Sequence, residues 1–304
     1  MEEQTLLLSL CIPTNGKSDW VIPVVDSILC SAADEKRYEI VIEDNGEGHD
    51  LETKIRDYQT DHRNIRYYRS ASQGFLCQID CLRHADGQLI KFVNHRSMLV
   101  EGAVEYLLQY AAENLQNKPV TFFSNGKLGG GEFENFDQFV RGMSFWSSWS
   151  GGLAIWRNDQ ASLSNDRKYN TLFPHTDLLF RNKNAGEYRI VDRELFSDIV
   201  TGHASKGKYN VFRAFAVEYL SIINDLLRNN DIQVDTFLSV RKELLPYLTD
   251  LYVRFITFRE PASYDFTDCK KYLGVYYSDG EFRNSYNRQV RKTLLKKIRG
   301  RFIK

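Results

Sequence analysis

Apolar and polar positions alternate in blocks along the first 124 residues. Thr5 to Thr14 (TLLLSLCIPT) is an apolar run closed by Pro and a polar turn, the pattern of a buried strand feeding a loop. Trp20 to Cys30 carries Val21, Val24, Val25, Ile28 and Leu29 at helical spacing, with Pro23 suited to its first turn. Tyr38 to Ile42 (YEIVI) predicts a second buried strand, stopped by an acidic turn, Glu43-Asp44-Asn45-Gly46. The same reasoning predicts a helix over Leu51–Thr60, a strand over Ile65–Arg69, a helix over Gly74–Ala85 and a strand over Gln88–Val93. A helix over Glu101–Asn114 and a strand over Val120–Ser124 complete the series. Strands and helices that alternate in this way form an α/β fold, a mostly parallel sheet with crossover helices. Ligands of such sheets bind beyond the carboxyl ends of the strands. The polar loops Pro13–Gly16, Glu43–Gly46 and Asn94–Ser97 are therefore expected to converge on one crevice.

Beyond this block the pattern changes. Asn125 to Gly152 is rich in glycine and aromatics (Gly129-Gly130-Gly131, Trp146, Trp149, Gly151-Gly152), which predicts a mobile or exposed segment ahead of an apolar strand, Leu153–Trp156. From Tyr209 to Phe258 the spacing is helical. Phe212, Phe215, Ala216, Tyr219, Leu220 and Ile223 share one face, and Leu244, Leu248, Leu251, Tyr252 and Phe255 another. Pro261 closes the region. The predicted division is 1–205 for the α/β domain and 206–304 for a helical C-terminal region, whose aromatic faces can also bury a second copy as a homo-oligomer.

Composition narrows the class. With 42% hydrophobic residues, 13% aromatics and six prolines, the chain is not dominated by disorder. No run of 18 apolar residues is present, so no membrane-spanning helix is expected. The acidic start Met1–Gln4 is not a secretory leader, which points to the cytoplasm. The five cysteines include no C-x-x-C pair. Cys77 and Cys81, four apart, share a helix face and are expected to be buried and reduced. Net charge is zero, yet Glu281 to Lys304 holds nine basic residues and one acid, so the rest is net acidic and specific nucleic-acid binding is disfavoured. In the 284–304 tail, Val290, Leu294, Ile298 and Phe302 recur every four residues, with Leu295 beside them. Such a basic amphipathic helix suits an anionic membrane surface, and the same features fit a stripe packed on the body.

No P-loop, G-x-G-x-x-G, G-x-S-x-G or H-E-x-x-H motif is present. The order of the weaker motifs is more specific. Leu8–Asn15 (LSLCIPTN), the helix ending Asp26-Ser27-Ile28-Leu29, YEIVIEDNG over Tyr38–Gly46, Gln73-Gly74-Phe75 with Ala85-Asp86-Gly87, and Met98–Ala103 together resemble family-two glycosyltransferases of the GT-A fold. The resemblance covers about residues 5 to 115. It implies transfer of a sugar, with inversion, from a nucleotide-sugar donor (a UDP-sugar favoured) to a glycan or lipid-linked glycan. Capsule and O-antigen assembly at the inner face of the cell membrane are typical settings.

The resemblance also implies site residues. Pro13, Thr14, Asn15, Glu43, Asp44, Gln73 and Gln78 fall where the family binds the nucleotide, with Asp44 matching the acid that meets base or ribose. The alternative role for Asp44 is to shape an Asx turn over Asp44-Asn45-Gly46. Asn94-His95-Arg96-Ser97 falls where the family's Asp-x-Asp holds a divalent metal, but no carboxylate is present here. Mg²⁺ and Mn²⁺ prefer carboxylate oxygens. Three readings stay open: phosphate charge offset directly by Arg96 and His95, weak metal binding through Asn94, Ser97 or His95, or a catalytically silent scaffold. An inverting transferase needs a base for the acceptor hydroxyl. Asp177 lies at the matching place in Phe173–Arg181, and His175 is the alternative base. Trp149 and Gly151 are candidate acceptor contacts, since an aromatic face can stack on a sugar.

Overall fold

The computed structural model describes residues 5–160, 163, 168–200 and 207–302, with side chains to residue 295 in the last helix. It forms two compact units, Met1–Ile199 and Val200–Lys304. The expected 205/206 boundary lies outside the described residues.

In the first unit the order is β1 (Leu8–Thr14), α1 (Ser18–Leu29), β2 (Tyr38–Asp44), α2 (Asp50–Asp61), β3 (Ile65–Arg69), α3 (Cys77–Arg83), β4 (Leu89–Phe92), β5 (Ser97–Leu99) and α4 (Ala103–Glu113). There follow β6 (Val120–Phe123), β7 (Gly131–Phe133), α5 (Phe136–Met143), β8 (Ala154–Trp156), α6 (Arg157–Gln160), α7 (Pro174–Leu179), β9 (Tyr188–Val191) and β10 (Phe196–Asp198). The main sheet runs β3-β2-β1-β4-β8, parallel except for β8. The α/β expectation is met.

Strand alternation sorts the side chains between two layers. Leu8, Leu10, Ile12, Ile40 and Ile42 join a core with α1, α2 and α4. Cys11 and Val41 face the other way: the Cys11 thiol reaches the Cys81 carbonyl (3.7 Å) and the Cys81 thiol the Val41 carbonyl (3.4 Å). Cys77 and Cys81 are buried as expected, whereas Cys30 is exposed. Pro13 is tolerated in a central strand because the β4 ladder ends at Cys11–Phe92, leaving β2 as its partner.

Four sequence expectations change. The first helix begins at Ser18, so Pro23 lies inside it. β2 continues through Asp44, so Glu43 and Asp44 are buried strand residues and the turn begins at Asn45. Val120–Phe123 leaves the main sheet and pairs in a three-stranded sheet, β6-β9-β7. β8 takes the place beside β4, and a single bridge, Phe122–Leu153, joins the two regions. Gly152 permits that crossing, because a Cβ there would collide with the Phe122 ring. Finally, the glycine-aromatic segment is open only at its start. From Phe136 onward it is packed, with Phe136, Phe139, Val140, Met143, Gly151 and Gly152 buried.

The second unit is helical. Val211–Arg228 is one run of α, π and α turns. Val234–Leu251 continues through a π segment, Tyr252–Thr257. Cys269–Leu273 and Asp279–Phe302 follow. Arg241 grips Glu281 through both carboxylate oxygens (2.8 and 2.9 Å), and Ser285 meets Thr249 (2.8 Å). Leu294 and Leu295 are exposed, while the Ile298 and Phe302 side chains lie outside the described residues. Among the described residues no helix is long and apolar enough to cross a membrane.

Candidate active site at the carboxyl edge of the sheet

The strand-end loops meet, and Thr14 is their junction. Its carbonyl accepts the Asn45 amide (3.0 Å), tying the ends of β1 and β2. Its hydroxyl lies 3.0 Å from His95 Nδ1, tying β1 to the loop after β4. Asn45 extends the link, since its side-chain amide donates to the Ser72 carbonyl (3.2 Å) and the Gly74 carbonyl (2.9 Å) around Gln73. Asn45, which the sequence marks only as a turn residue, thus joins the β2 end to the turn after β3. Asn15 and Gln73 are exposed on this edge.

Glu43 and Asp44 point to opposite faces, as consecutive strand residues must. Asp44 has no exposed surface. Its Oδ2 accepts from the Tyr67 hydroxyl (2.7 Å) and Arg69 (3.0 Å), and its Oδ1 from the Gly46 amide (2.7 Å). Burial and the Asp44 hydrogen bond push the Tyr67 hydroxyl up to about 12. Gly16 closes over Asp44, with room for a Cβ only 3.2 Å from Oδ1. The acid expected to offer itself to a nucleotide is thus already engaged from within. Glu43 is buried against His84 (2.8 Å), whose ring stacks on Tyr68 at 3.9 Å. Burial pushes the Glu43 carboxyl up, against the opposing pull of His84. Glu43, Arg69, Ala71, Asp80, Arg83 and His84 line a cleft of about 280 Å³.

The loop after β4 is built differently. The Asn94 side chain accepts the Arg96 amide (3.1 Å), and its carbonyl accepts the Ser97 amide (2.9 Å). Strand β10 pins the loop, as Ile199 N donates to the Arg96 carbonyl (2.8 Å) and Ser97 donates to Asp198 (2.5 Å). The His95 ring meets Trp20 edge-on at 5.3 Å. Arg96 lies over that indole at 5.2 Å and Lys17 at 5.4 Å. Burial, reinforced by Arg96 and Lys17, pushes His95 down to about 3, so its ring is neutral at physiological pH. Lys17 and Trp20 are additions to the sequence-predicted set, and a Lys-x-x-Trp pair just after a strand is a weak signal.

These residues do not fit a divalent metal. Among the described residues no group of three or more His, Cys, Asp or Glu could hold one. The acid at the loop, Asp198, is bound by Ser97, and the Asn94–Arg96 segment presents an amide, a neutral imidazole and a cation. Mg²⁺ and Mn²⁺ need several oxygen ligands, usually with carboxylates among them.

The residues expected to serve the acceptor lie on a second cluster. His175 is buried, with Nδ1 3.2 Å from Gln78 Oε1 and Nε2 donating to the Ser148 carbonyl (2.9 Å). Burial pushes it down to about 4. Gln78 is therefore brought to His175 and sits buried. Its one N–H is spent on the Ser148 carbonyl and Nδ1 is closed off by the buried Gln78 side chain, so His175 is a strut under the Ser144–Ser148 turn rather than an available base. Asp177 is one-third exposed and takes Arg181 and the Asn170 amide, both at 3.4 Å. Trp149 is half-buried, edge-on to Phe196 at 6.3 Å. Gly151 is buried beneath the Trp149 ring, which leaves no room for a Cβ. The Gly151 carbonyl takes the ammonium of Lys91, which also reaches the Phe92 carbonyl (2.9 Å) and the Leu153 carbonyl (3.2 Å). Burial lowers Lys91 to about 7.

No protein-family model matches the sequence, and no curated protein matches it either. Solved structures do. The chain is similar to Staphylococcus aureus TarS 1–349 in complex with UDP-GlcNAc, with a TM-score of 0.52 and 12% identity over 89% of this chain and 91% of that one. The complex of TarS 1–349 with UDP gives 0.51 and 13% over the same shares. A longer S. aureus TarS structure gives 0.49 and 15% over 92% of this chain but 55% of that one, so the chain spans about half its length. At such identity the likeness shows the fold, and the expected GT-A architecture is met.

Proposed function

We propose that the protein is a nucleotide-sugar-dependent glycosyltransferase that acts with inversion on a glycan or lipid-linked glycan. The observation that carries this reading is the junction at Thr14, which ties the ends of β1, β2 and β4 into one polar edge. The TarS 1–349 structure of the same fold is a complex with UDP-GlcNAc, which supports a UDP-sugar as donor. In this reading the nucleoside lies across Pro13, Thr14, Asn15 and Gln73. A base that reaches Asp44 displaces Tyr67 or Arg69 from it. The diphosphate lies at Asn94–Ser97. The acceptor lies toward Trp149, where its hydroxyl oxygen attacks the sugar C1, Asp177 takes the hydroxyl proton, and the nucleoside diphosphate leaves. Neutral His175 positions the Ser144–Ser148 turn beside Trp149.

The test is a calorimetric screen of UDP-, GDP- and dTDP-sugars, with EDTA and with Mn²⁺. Binding of one donor supports the reading, and binding of none removes it. Asp177→Asn then separates catalysis from binding: transfer falls about a hundredfold or more while donor affinity is kept. Normal turnover would remove Asp177 from the mechanism. A second reading, a silent scaffold in a glycan assembly complex, is favoured by the Asn94–Arg96 replacement of the carboxylates. Donor binding with no release of nucleoside diphosphate in the presence of acceptor would select it. The basic tail adds contact with an anionic membrane surface. Deleting residues 290–304, which keeps the Ser285 contact, should free the protein from anionic liposomes. Unchanged co-sedimentation would refute the tail's role.

A further inference from the structure

We propose that Lys17 and Arg96, both held against the Trp20 ring beside His95, form a metal-free binding site for the diphosphate of the donor. This rests on the glycosyltransferase reading and names the groups that would take the place of its metal. Both side chains lie over the Trp20 ring, at 5.4 and 5.2 Å, so each is held in place by an aromatic face rather than by an acid. Elsewhere in this unit Arg66, Arg69 and Arg83 each hold a carboxylate within 3.0 Å. Among the described residues no carboxylate lies within ion-pair distance of Lys17 or Arg96. A guanidinium with free N–H groups is a fork matched to phosphate oxygens, and an ammonium adds a compact charge beside it.

The loop is also shaped to present the pair. Arg96 is fixed through its own backbone, its amide to Asn94 and its carbonyl to Ile199, which leaves the side chain available. His95 stands between Thr14 and Trp20 and sets the spacing. Being neutral, it contributes shape and a hydrogen bond, while the charge comes from Lys17 and Arg96. That division of labour corrects the expectation that His95 offsets phosphate charge.

The experiment is calorimetry in EDTA on the full chain and on Lys17→Gln and Arg96→Gln, with UDP, GDP, dTDP, uridine and inorganic pyrophosphate as probes. Melting temperature serves as the folding control. The expected result is binding of one nucleoside diphosphate and of pyrophosphate without metal, each weakened about tenfold to a hundredfold by either substitution. Uridine binding should be unchanged by both. Binding of a nucleoside diphosphate that appears only with Mn²⁺, or that both variants keep, would overturn the site and leave the donor reading standing. Binding of pyrophosphate with no nucleoside diphosphate would keep the anion site and remove the donor reading. Binding of none of the probes would overturn both.

Discussion

Two loops at one edge of the sheet carry charge in opposite ways. At the end of β2, Asp44 is fully buried and saturated by Tyr67, Arg69 and the Gly46 amide, and Glu43 is buried against His84. Where the loop after β4 meets the start of α1, Arg96 and Lys17 rest on the Trp20 indole with no carboxylate within ion-pair distance among the described residues. A charge paired inside the fold has been used to build it. A cation held by an aromatic face keeps its hydrogen bonds for a ligand. The difference assigns shape to the β2 end and anion recognition to the β4 end.

Substitution can break this contrast. Asp44→Ala should have the largest effect on stability, about 3 kcal/mol by denaturant unfolding, because it takes the acceptor from the Tyr67 hydroxyl and the Gly46 amide and the carboxylate from Arg69, which keeps only its carbonyl partners. Lys91→Met comes next, at about 2 kcal/mol. It removes the donor to the Gly151 carbonyl, and hydrogen exchange should show Trp149–Leu153 losing protection.

Acid sharpens the contrast more gently. His95 near 3 and His175 near 4 are held neutral by the fold, while the unfolded chain protonates them near 6.5. The unfolded state binds the protons first, so stability present above pH 6.5 is lost as pH falls toward 4 and 3. The slope is about 1.4 kcal/mol per pH unit for each histidine. Urea midpoints followed from about pH 7 to pH 5 should decline, and His175→Asn should flatten part of that decline. Arg96→Gln should have the smallest effect on stability, within about 1 kcal/mol, since only the contact with Trp20 is lost.

The sequence revealed local elements better than their partners. Ile65–Arg69 is a strand with the predicted bounds, and the helices at Leu51 and Glu101 are displaced by two residues at most at either end. Hydrophobic spacing carries that information. Sheet order is a tertiary property, which is why Val120–Phe123 was expected in the main sheet and lies in another. Convergence of the loops followed from topology, whereas the state of their charges did not. Asp44 meets Arg69, 25 residues away, and Ser97 meets Asp198, 101 residues away. No local pattern announces such pairs. Turn propensity put the acidic residues in a loop, and strand pairing with β3 through Asp44–Arg69 drew them into the sheet.

The most direct test of the contrast is a crystal structure with UDP grown in EDTA. The expected result is a diphosphate within hydrogen-bond distance of Arg96 and Lys17, with Asp198 still bound to Ser97. A diphosphate seated instead in the cleft of Arg69, Arg83 and His84, with Arg96 untouched, would contradict it.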